Sequence, residues 1–276
     1  MKSKSIRRRQ QGVARRDLAA RSKASEPLAV RALIHVASVG TGREIIESGK
    51  LETRRCAIFK DTELVYFFAL RPAYRLKDGS EKSDKLNYFP CVFVVSPDNL
   101  REPFHVYPFD TGGAIAGVFD NKADRTIPLD DYELDPTLDA AGRHIRWAFG
   151  DVESYLRGDI RSDLLNDVPR HDTVTWGFAD IAELASSQRN DADYRASAVE
   201  IAYDRHISLK DNVRLIVIPK QYIEDPKGEN KAFLEKLIEL NISWKTYDWQ
   251  PNRAPDDFLH EISDIVTIFY RDNGMI

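Results

Sequence analysis

The sequence predicts an α+β protein with a split, mixed β-sheet at its core and helices around it. Three observations carry this. Short apolar runs rich in aromatic and β-branched residues, VYFFAL (65–70), PCVFVV (90–95) and VRLIVI (213–218), read as buried strands. Other stretches space their apolar residues three and four apart, most clearly 231–240, and read as amphipathic helices. The two kinds of segment do not alternate in a regular strand–helix–strand rhythm, which argues against a doubly wound parallel sheet.

In chain order, Leu33–Val36 reads as a strand, followed by a helix over Arg43–Ser48 that Gly49 caps. Glu63–Leu70 reads as a buried strand, residues 76–88 as a polar loop, Pro90–Val95 as a second buried strand and Phe104–Tyr107 as a third. FDTGGAIAGVFD (109–120) has paired glycines and small residues, which suits close backbone approach. Residues 121–175 are acidic and turn-rich, with a helix expected over Ala140–Leu156. Phe178–Ser187 reads as a helix, and Ser197–Tyr203 and Val213–Ile218 as strands. Lys231–Leu240 and Pro255–Phe269 read as the closing helices.

An apolar content of 42% over 276 residues is enough to bury a substantial core. No apolar run approaches the length of a membrane span, and the basic N-terminus has no apolar stretch behind it to form a secretory signal. Cys56 and Cys91 form neither a zinc pattern nor a disulfide framework, which suits a reducing cytoplasm. Residues 1–25 hold nine Lys or Arg against Asp17 alone, a net of +8. The whole chain is −4, so the remainder carries −12. This suggests a basic, disordered tail (1–25) on a single acidic domain (26–276), the tail being either a handle for a polyanion or simply solvated.

The glycines of DTGGAIAGV fit neither phosphate-loop spacing, and no H-E-x-x-H, G-x-S-x-G or C-x-x-C occurs. Six scattered histidines give no metal set. What remains is polar residues set in or beside apolar strands: His35, Arg71 directly after VYFFAL, and Glu200 within SAVEIAY. Each alone is compatible with a structural role: a hydrogen-bonded core histidine, a strand-ending arginine, a glutamate on a solvated sheet face.

Four stretches taken in order resemble the ADP-ribosyltransferases, particularly the DarT-like toxins that modify DNA. LIHVASVGTGREIIESGKLE is similar to the family's opening element of histidine, short helix, glycine and leucine. VYFFALRP is similar to its aromatic strand running into an arginine, and FDTGGAIAG to its small-residue segment. YRASAVEIAYDRHISLKDNVRLIVIP is similar to its glutamate strand, turn and following strand. The chain departs from the family in its basic N-terminal extension, in Leu70 where the family usually has proline, and in its long acidic middle.

The resemblance implies a split mixed sheet of the ADP-ribosyltransferase kind and an enzyme that uses NAD as substrate. It implies Glu200 and Arg71 as catalytic residues. It also implies His35, Ala37, Tyr66, Phe68, Gly112 and Gly113 as residues that bind NAD, with Tyr66, Phe67 and Phe68 serving either as pocket walls or as core. No metal is called for. Arginine-modifying relatives usually carry a second glutamate two residues before the catalytic one. Ala198 stands there, which weakens an arginine target, and the DarT-like resemblance together with the +8 segment then favours nucleic acid, single-stranded DNA or RNA. A toxin or phage-defence role with an antitoxin partner is the implied setting. A protein acceptor, or an inactive fold serving as a binding module, are the competing readings.

Overall fold

The computed structural model describes residues 5–59, 62–73, 75–76, 79–224, 228 and 230–276. In chain order its elements are α1 (Asp17–Ser22), β1 (Leu33–Ser38), α2 (Val39–Ser48), β2 (Lys50–Leu51), β3 (Arg54–Arg55), β4 (Glu63–Ala69), β5 (Pro90–Val95), β6 (His105–Tyr107) and α3 (Thr111–Ala116). They continue with α4 (Leu138–Phe149), α5 (Val152–Arg157), α6 (Thr173–Ala182), β7 (Glu200–Tyr203), β8 (Ile207–Ser208), β9 (Val213–Pro219), α7 (Lys231–Glu239), β10 (Ser243–Tyr247) and α8 (Leu259–Asp272). Where the sequence suggests one domain after residue 25, the chain gathers into two compact units. The first holds the chain up to Val30, Arg55–Ala69 and Arg101–Asp204; the second holds Arg31–Arg54, Leu70–Leu100 and Arg205–Ile276.

In the first unit the strands run β4–β7–β6, all antiparallel. Phe68 lies opposite Glu200 on one side of β7, and Tyr107 opposite Glu200 on the other. Opposed residues share a face and successive residues alternate. One face therefore carries Phe67, Ile201 and Val106, all buried apolar residues. The other carries Tyr66, Phe68, Glu200, Ala202, His105 and Tyr107. Tyr155, fully buried after α4, ties the start of β7 to the end of β4: its hydroxyl donates to Ala69 O (2.9 Å) and accepts from Val199 N (3.0 Å).

In the second unit the order is β10–β9–β5–β1, antiparallel except for the parallel pair β9 and β10, so the strands are of mixed direction, as the α+β reading expects. Helix α2 begins four residues earlier than its sequence suggests. The Ser38 side chain caps it by accepting from Thr41 N, and Gly42 lets it lie against β5, where a Cβ would sit 2.6 Å from Cys91 Sγ. Gly49 ends it at φ 71°, in the left-handed region glycine tolerates. The strand β10 is not legible in SWKTY, whose polar alternation suits a strand covered on one face only.

Two local expectations change. The helix expected over 140–156 is two helices, because Gly150 at φ 85° ends α4 and the Asp151 side chain caps α5 by accepting from Ser154 N at 2.7 Å. The glycine-rich stretch after β6 is a short helix, α3, because Asp110 caps it through Gly113 N at 3.0 Å. Of the loop expected at 76–88, residues 77 and 78 lie outside the described residues.

The basic N-terminal segment is corrected most. From Ser5 onward it is laid down within the first unit, with Ile6 and Leu18 buried and α1 packed on α4 and α6. Electrostatics explains this, since the segment lies on the acidic stretch that follows α3. Leu129 N donates to Arg7 O, Arg8 Nε donates to Asp130 Oδ1 at 2.8 Å, and Arg9 Nη2 to Asp131 Oδ2 at 2.6 Å. Arg16 pairs with Glu133 at 2.8 Å and Arg21 with Asp172 at 2.7 Å. Asp131 and Asp172 are buried, so these two pairs are shielded from the screening that weakens exposed ones. The acidic middle and the basic start thus meet inside one unit through Arg8, Arg9, Arg16 and Arg21.

Replacing Tyr155 with phenylalanine should leave Val199 N and Ala69 O without their buried partner. The expected loss is about 2 kcal/mol of stability, read as a lower urea midpoint with the same far-UV spectrum. An unchanged midpoint would show that the bridge contributes nothing.

Candidate active site

Glu200 is the first residue of β7, and the residues before it hold its backbone in place. Ala69 N donates to Val199 O at 2.9 Å, and Tyr155 holds Val199 N. The side chain is 3% exposed, so it is neither on a solvated face nor free in a pocket mouth. A carboxylate removed from water must find hydrogen-bond donors. Thr111, the first residue of α3, supplies two: its amide donates to Oε2 at 3.0 Å and its hydroxyl to Oε1 at 2.7 Å.

His105, two residues before Tyr107 on the same face of β6, brings Nε2 to 3.3 Å from Glu200 Oε1. Neither ring nitrogen is aligned for a hydrogen bond, and the ring is 1% exposed. It lies among aromatic rings: Phe59 at 4.6 Å, Tyr107 at 5.1 Å and Tyr66 at 5.8 Å between centroids. Phe59 is held by a turn built on a thiol. Cys56 Sγ accepts from Ile58 N and Phe59 N and sits 2.7 Å from Tyr66 Oη. The Arg8 guanidinium lies over the Phe59 ring, 4.4 Å from its centroid.

A second buried carboxylate lies beside the first. Asp110, 4% exposed, accepts from Gly113 N, and its own amide donates to Arg195 O at 3.0 Å. Its carboxyl is pushed up to about 6, first by burial and then by the charge of Glu200, against the opposing amide hydrogen bonds of Gly113 and Gly112 and the charge of Arg195. Burial, and then the Glu200 charge, also push the Tyr66 phenol up, so it stays protonated at neutral pH.

The residues singled out in the sequence divide between the units. Tyr66, Phe68, Gly112, Gly113 and Glu200 belong to the first. Phe68 pairs directly with Glu200, Tyr66 is half-buried, and Gly112 and Gly113 lie in the first turn of α3, where a Cβ would meet the Asp110 carboxylate at 3.0 Å and 3.1 Å. His35, Ala37 and Arg71 belong to the second. His35 is half-buried on β1 opposite Phe93, their rings 6.1 Å apart, and Ala37 is buried opposite Cys91. Arg71 is 2% exposed and follows Leu70, a non-glycine residue at φ 57°. Leu70 is held there because its amide donates to Ala32 O and its carbonyl accepts from Tyr270 Oη at 3.0 Å. Sequence reasoning missed His105, Asp110 and Thr111. The sole signal for Asp110 and Thr111 was D-T-G-G, an aspartate and threonine opening a short helix as cap and first residue. Among the described residues no group of three or more His, Cys, Asp or Glu is placed to hold a metal ion, and no helix is long and apolar enough to cross a membrane.

No family model and no curated protein matches the chain. Solved structures that it is similar to include three of DarT from Thermus sp. 2.9. The one in complex with NAD+ has a TM-score of 0.38 and 10% identity, covering 79% of this chain and 97% of that one. The one with carba-NAD+ has a TM-score of 0.36 and 10% identity, covering 80% and 97%. The one with ADP-ribosylated single-stranded DNA has a TM-score of 0.36 and 10% identity, covering 83% and 95%.

Asp110 makes stability depend on pH in an identifiable direction. Its folded value, about 6, lies above its ordinary 3.8, so the folded state binds this proton more tightly. Its contribution to stability is fully present below about pH 4 and is lost as pH rises through about 6. Asp110→Asn keeps a good cap but cannot ionise. Relative to wild type, its unfolding free energy should rise between pH 4 and pH 7 in urea titrations. A difference that stays flat across that window would remove Asp110 from the account.

Proposed function

We infer that this protein is an ADP-ribosyltransferase that takes NAD as substrate and transfers ADP-ribose to single-stranded nucleic acid, with Glu200 as its catalytic carboxylate. The observation that carries the reading is the buried Glu200 side chain, hydrogen-bonded at both oxygens by Thr111, at the glutamate position of the sequence resemblance. A glutamate placed only for solubility would not be 3% exposed on the middle strand of its unit.

The reaction asks for such a group. NAD supplies a ribose whose C1′ bond to nicotinamide breaks, the electron pair leaving with the neutral nicotinamide. Positive charge builds on the ribose, as it does in glycoside cleavage. Glu200 stabilises that charge through the ribose hydroxyls, in a setting where the donors around it need not reorganise. The acceptor's lone pair then forms the new bond to C1′, and its proton is lost to solvent or a nearby base. His35 and Ala37 take the NAD-holding role that the resemblance gives them, and Arg71 the steadying of phosphates or acceptor, for which a guanidinium is suited. Tyr66 and Phe68 flank the reacting ribose, and Gly112, exposed on the turn next to Thr111, offers backbone without a side chain.

Ala198 argues against an arginine acceptor: it lies wholly in the core at the position where arginine-modifying relatives carry their second glutamate. No carboxylate at that position can activate a guanidinium, and a base in a single strand is reachable without unstacking a duplex. The arm at residues 5–25 is not the source of affinity in this reading, because its arginines are already paired. A toxin or defence role fits an enzyme that modifies nucleic acid, and an antitoxin partner fits that role.

The test is radiolabelled NAD offered with single-stranded DNA, RNA and protein in parallel, for wild type and Glu200→Gln. Glutamine keeps the shape and removes the charge, so transfer should fall on the order of 10²–10³-fold. Transfer at the wild-type rate by a folded glutamine variant would overturn the assignment of Glu200. Label on protein alone would replace the acceptor, and no consumption of NAD by the wild type would leave an inactive binding module.

A further inference from the structure

Glu200 needs more than burial to act on a developing cation: its carboxylate plane must be fixed, since a group free to rotate loses its advantage in the transition state. The neighbours of Glu200 differ in what they can fix. His105 is within 3.3 Å but makes no aligned hydrogen bond through either ring nitrogen. Phe68 and Tyr107, its strand partners, confine the side chain but do not orient its oxygens. Among the described residues Thr111 alone donates to both oxygens, and its own placement is over-determined: Asp110 O accepts from Ala114 N, the Asp110 side chain holds Gly113 N, and the Asp110 amide is tied to Arg195 O, five residues before Glu200.

We propose that Thr111 is a positioning residue for Glu200, and that the D-T-G-G turn serves to present its amide and hydroxyl to that carboxylate. The inference rests on the reading of Glu200 as the catalytic group. The turn explains its own composition. Aspartate is needed as the cap, threonine for a hydroxyl held in place by its branched, fully buried side chain, and glycine at 113 because a Cβ would come within 3.1 Å of the Asp110 carboxylate and 3.2 Å of Phe119.

Two variants separate orientation from packing. Thr111→Val keeps the shape and the amide but removes the hydroxyl donor at 2.7 Å; Thr111→Ser keeps the hydroxyl and removes a methyl. In steady-state assays with labelled NAD and a single-stranded oligonucleotide, Thr111→Val should lower kcat about 10–100-fold, the range seen when the partner of a functional group is removed. Its KM for NAD should stay within about threefold, and Thr111→Ser should recover most of kcat. Glu200→Gln is run beside them. If it is inactive while folded Thr111→Val keeps the wild-type kcat, or if serine falls as far as valine, the positioning role is overturned and the catalytic reading stands. If Glu200→Gln also keeps wild-type rate, the catalytic reading itself has failed and takes this inference with it.

Discussion

The first unit is organised around a carboxylate that has been taken out of water. Glu200 sits on the middle strand of three with 3% exposure, and isolated burial of such a group costs several kcal/mol unless donors replace its hydration. That constraint accounts for a sequence of otherwise unrelated choices. A helix must begin directly opposite β7 so that an amide and a hydroxyl reach the two oxygens. The chain must turn sharply to start it, hence the aspartate cap and the small residues behind. The other residues on that face are aromatic or small: Tyr66, Phe68, Ala202, His105 and Tyr107.

The same solution creates a second tension. Capping α3 with aspartate buries a second carboxylate beside the first, and its pKa is raised by that burial and then by the charge of Glu200. A neutral cap such as serine could start the helix with less repulsion. The aspartate reaches Gly113 N with its side chain and Arg195 O with its amide, and thus fastens the turn to the segment that leads into β7.

How much of this could be read in advance follows from range. Strands β4, β5 and β9 announce themselves because each carries a run of apolar residues, interrupted only by Glu63 at the start of β4 and Arg214 near the start of β9, and Gly49 marks a helix end that depends only on local backbone. Glu200 and Arg71 stand out because a charge next to an apolar run is visible in one dimension. His105, Asp110 and Thr111 become partners of Glu200 only through pairings 89 to 95 positions apart, and no local pattern encodes those. The N-terminal arm failed for the same reason. The basic start of the chain reads as a solvated tail until Asp130, Asp131, Glu133 and Asp172, more than a hundred positions away, are seen to meet Arg8, Arg9, Arg16 and Arg21. Charge totals summed over segments cannot show which opposite charges touch. Strand β10 was missed because its alternation is polar, and its pairing with β9 overrides weak local preference.

Burial that is costly in folding is useful in the inferred chemistry. The coulombic interaction between a carboxylate and a cationic ribose grows as water is excluded, from roughly 1 kcal/mol at 4 Å in bulk solvent to about 4 kcal/mol at the effective dielectric of a protein surface. The layer of Phe59, Tyr66, Phe68, His105 and Tyr107 that keeps water from Glu200 therefore strengthens its hold on a developing positive charge, provided that the carboxylate keeps its orientation without a hydration shell. Thr111 meets that condition in the resting protein, so the donors are in place before any cation forms. A more exposed glutamate would be easier to fold and would lose part of that field to solvent reorganisation. The arm extends the argument outward: Arg8 stacks on Phe59, which stacks on His105, which touches Glu200. Pairing of the arm with the acidic stretch thus holds Arg8 against the aromatic layer around Glu200.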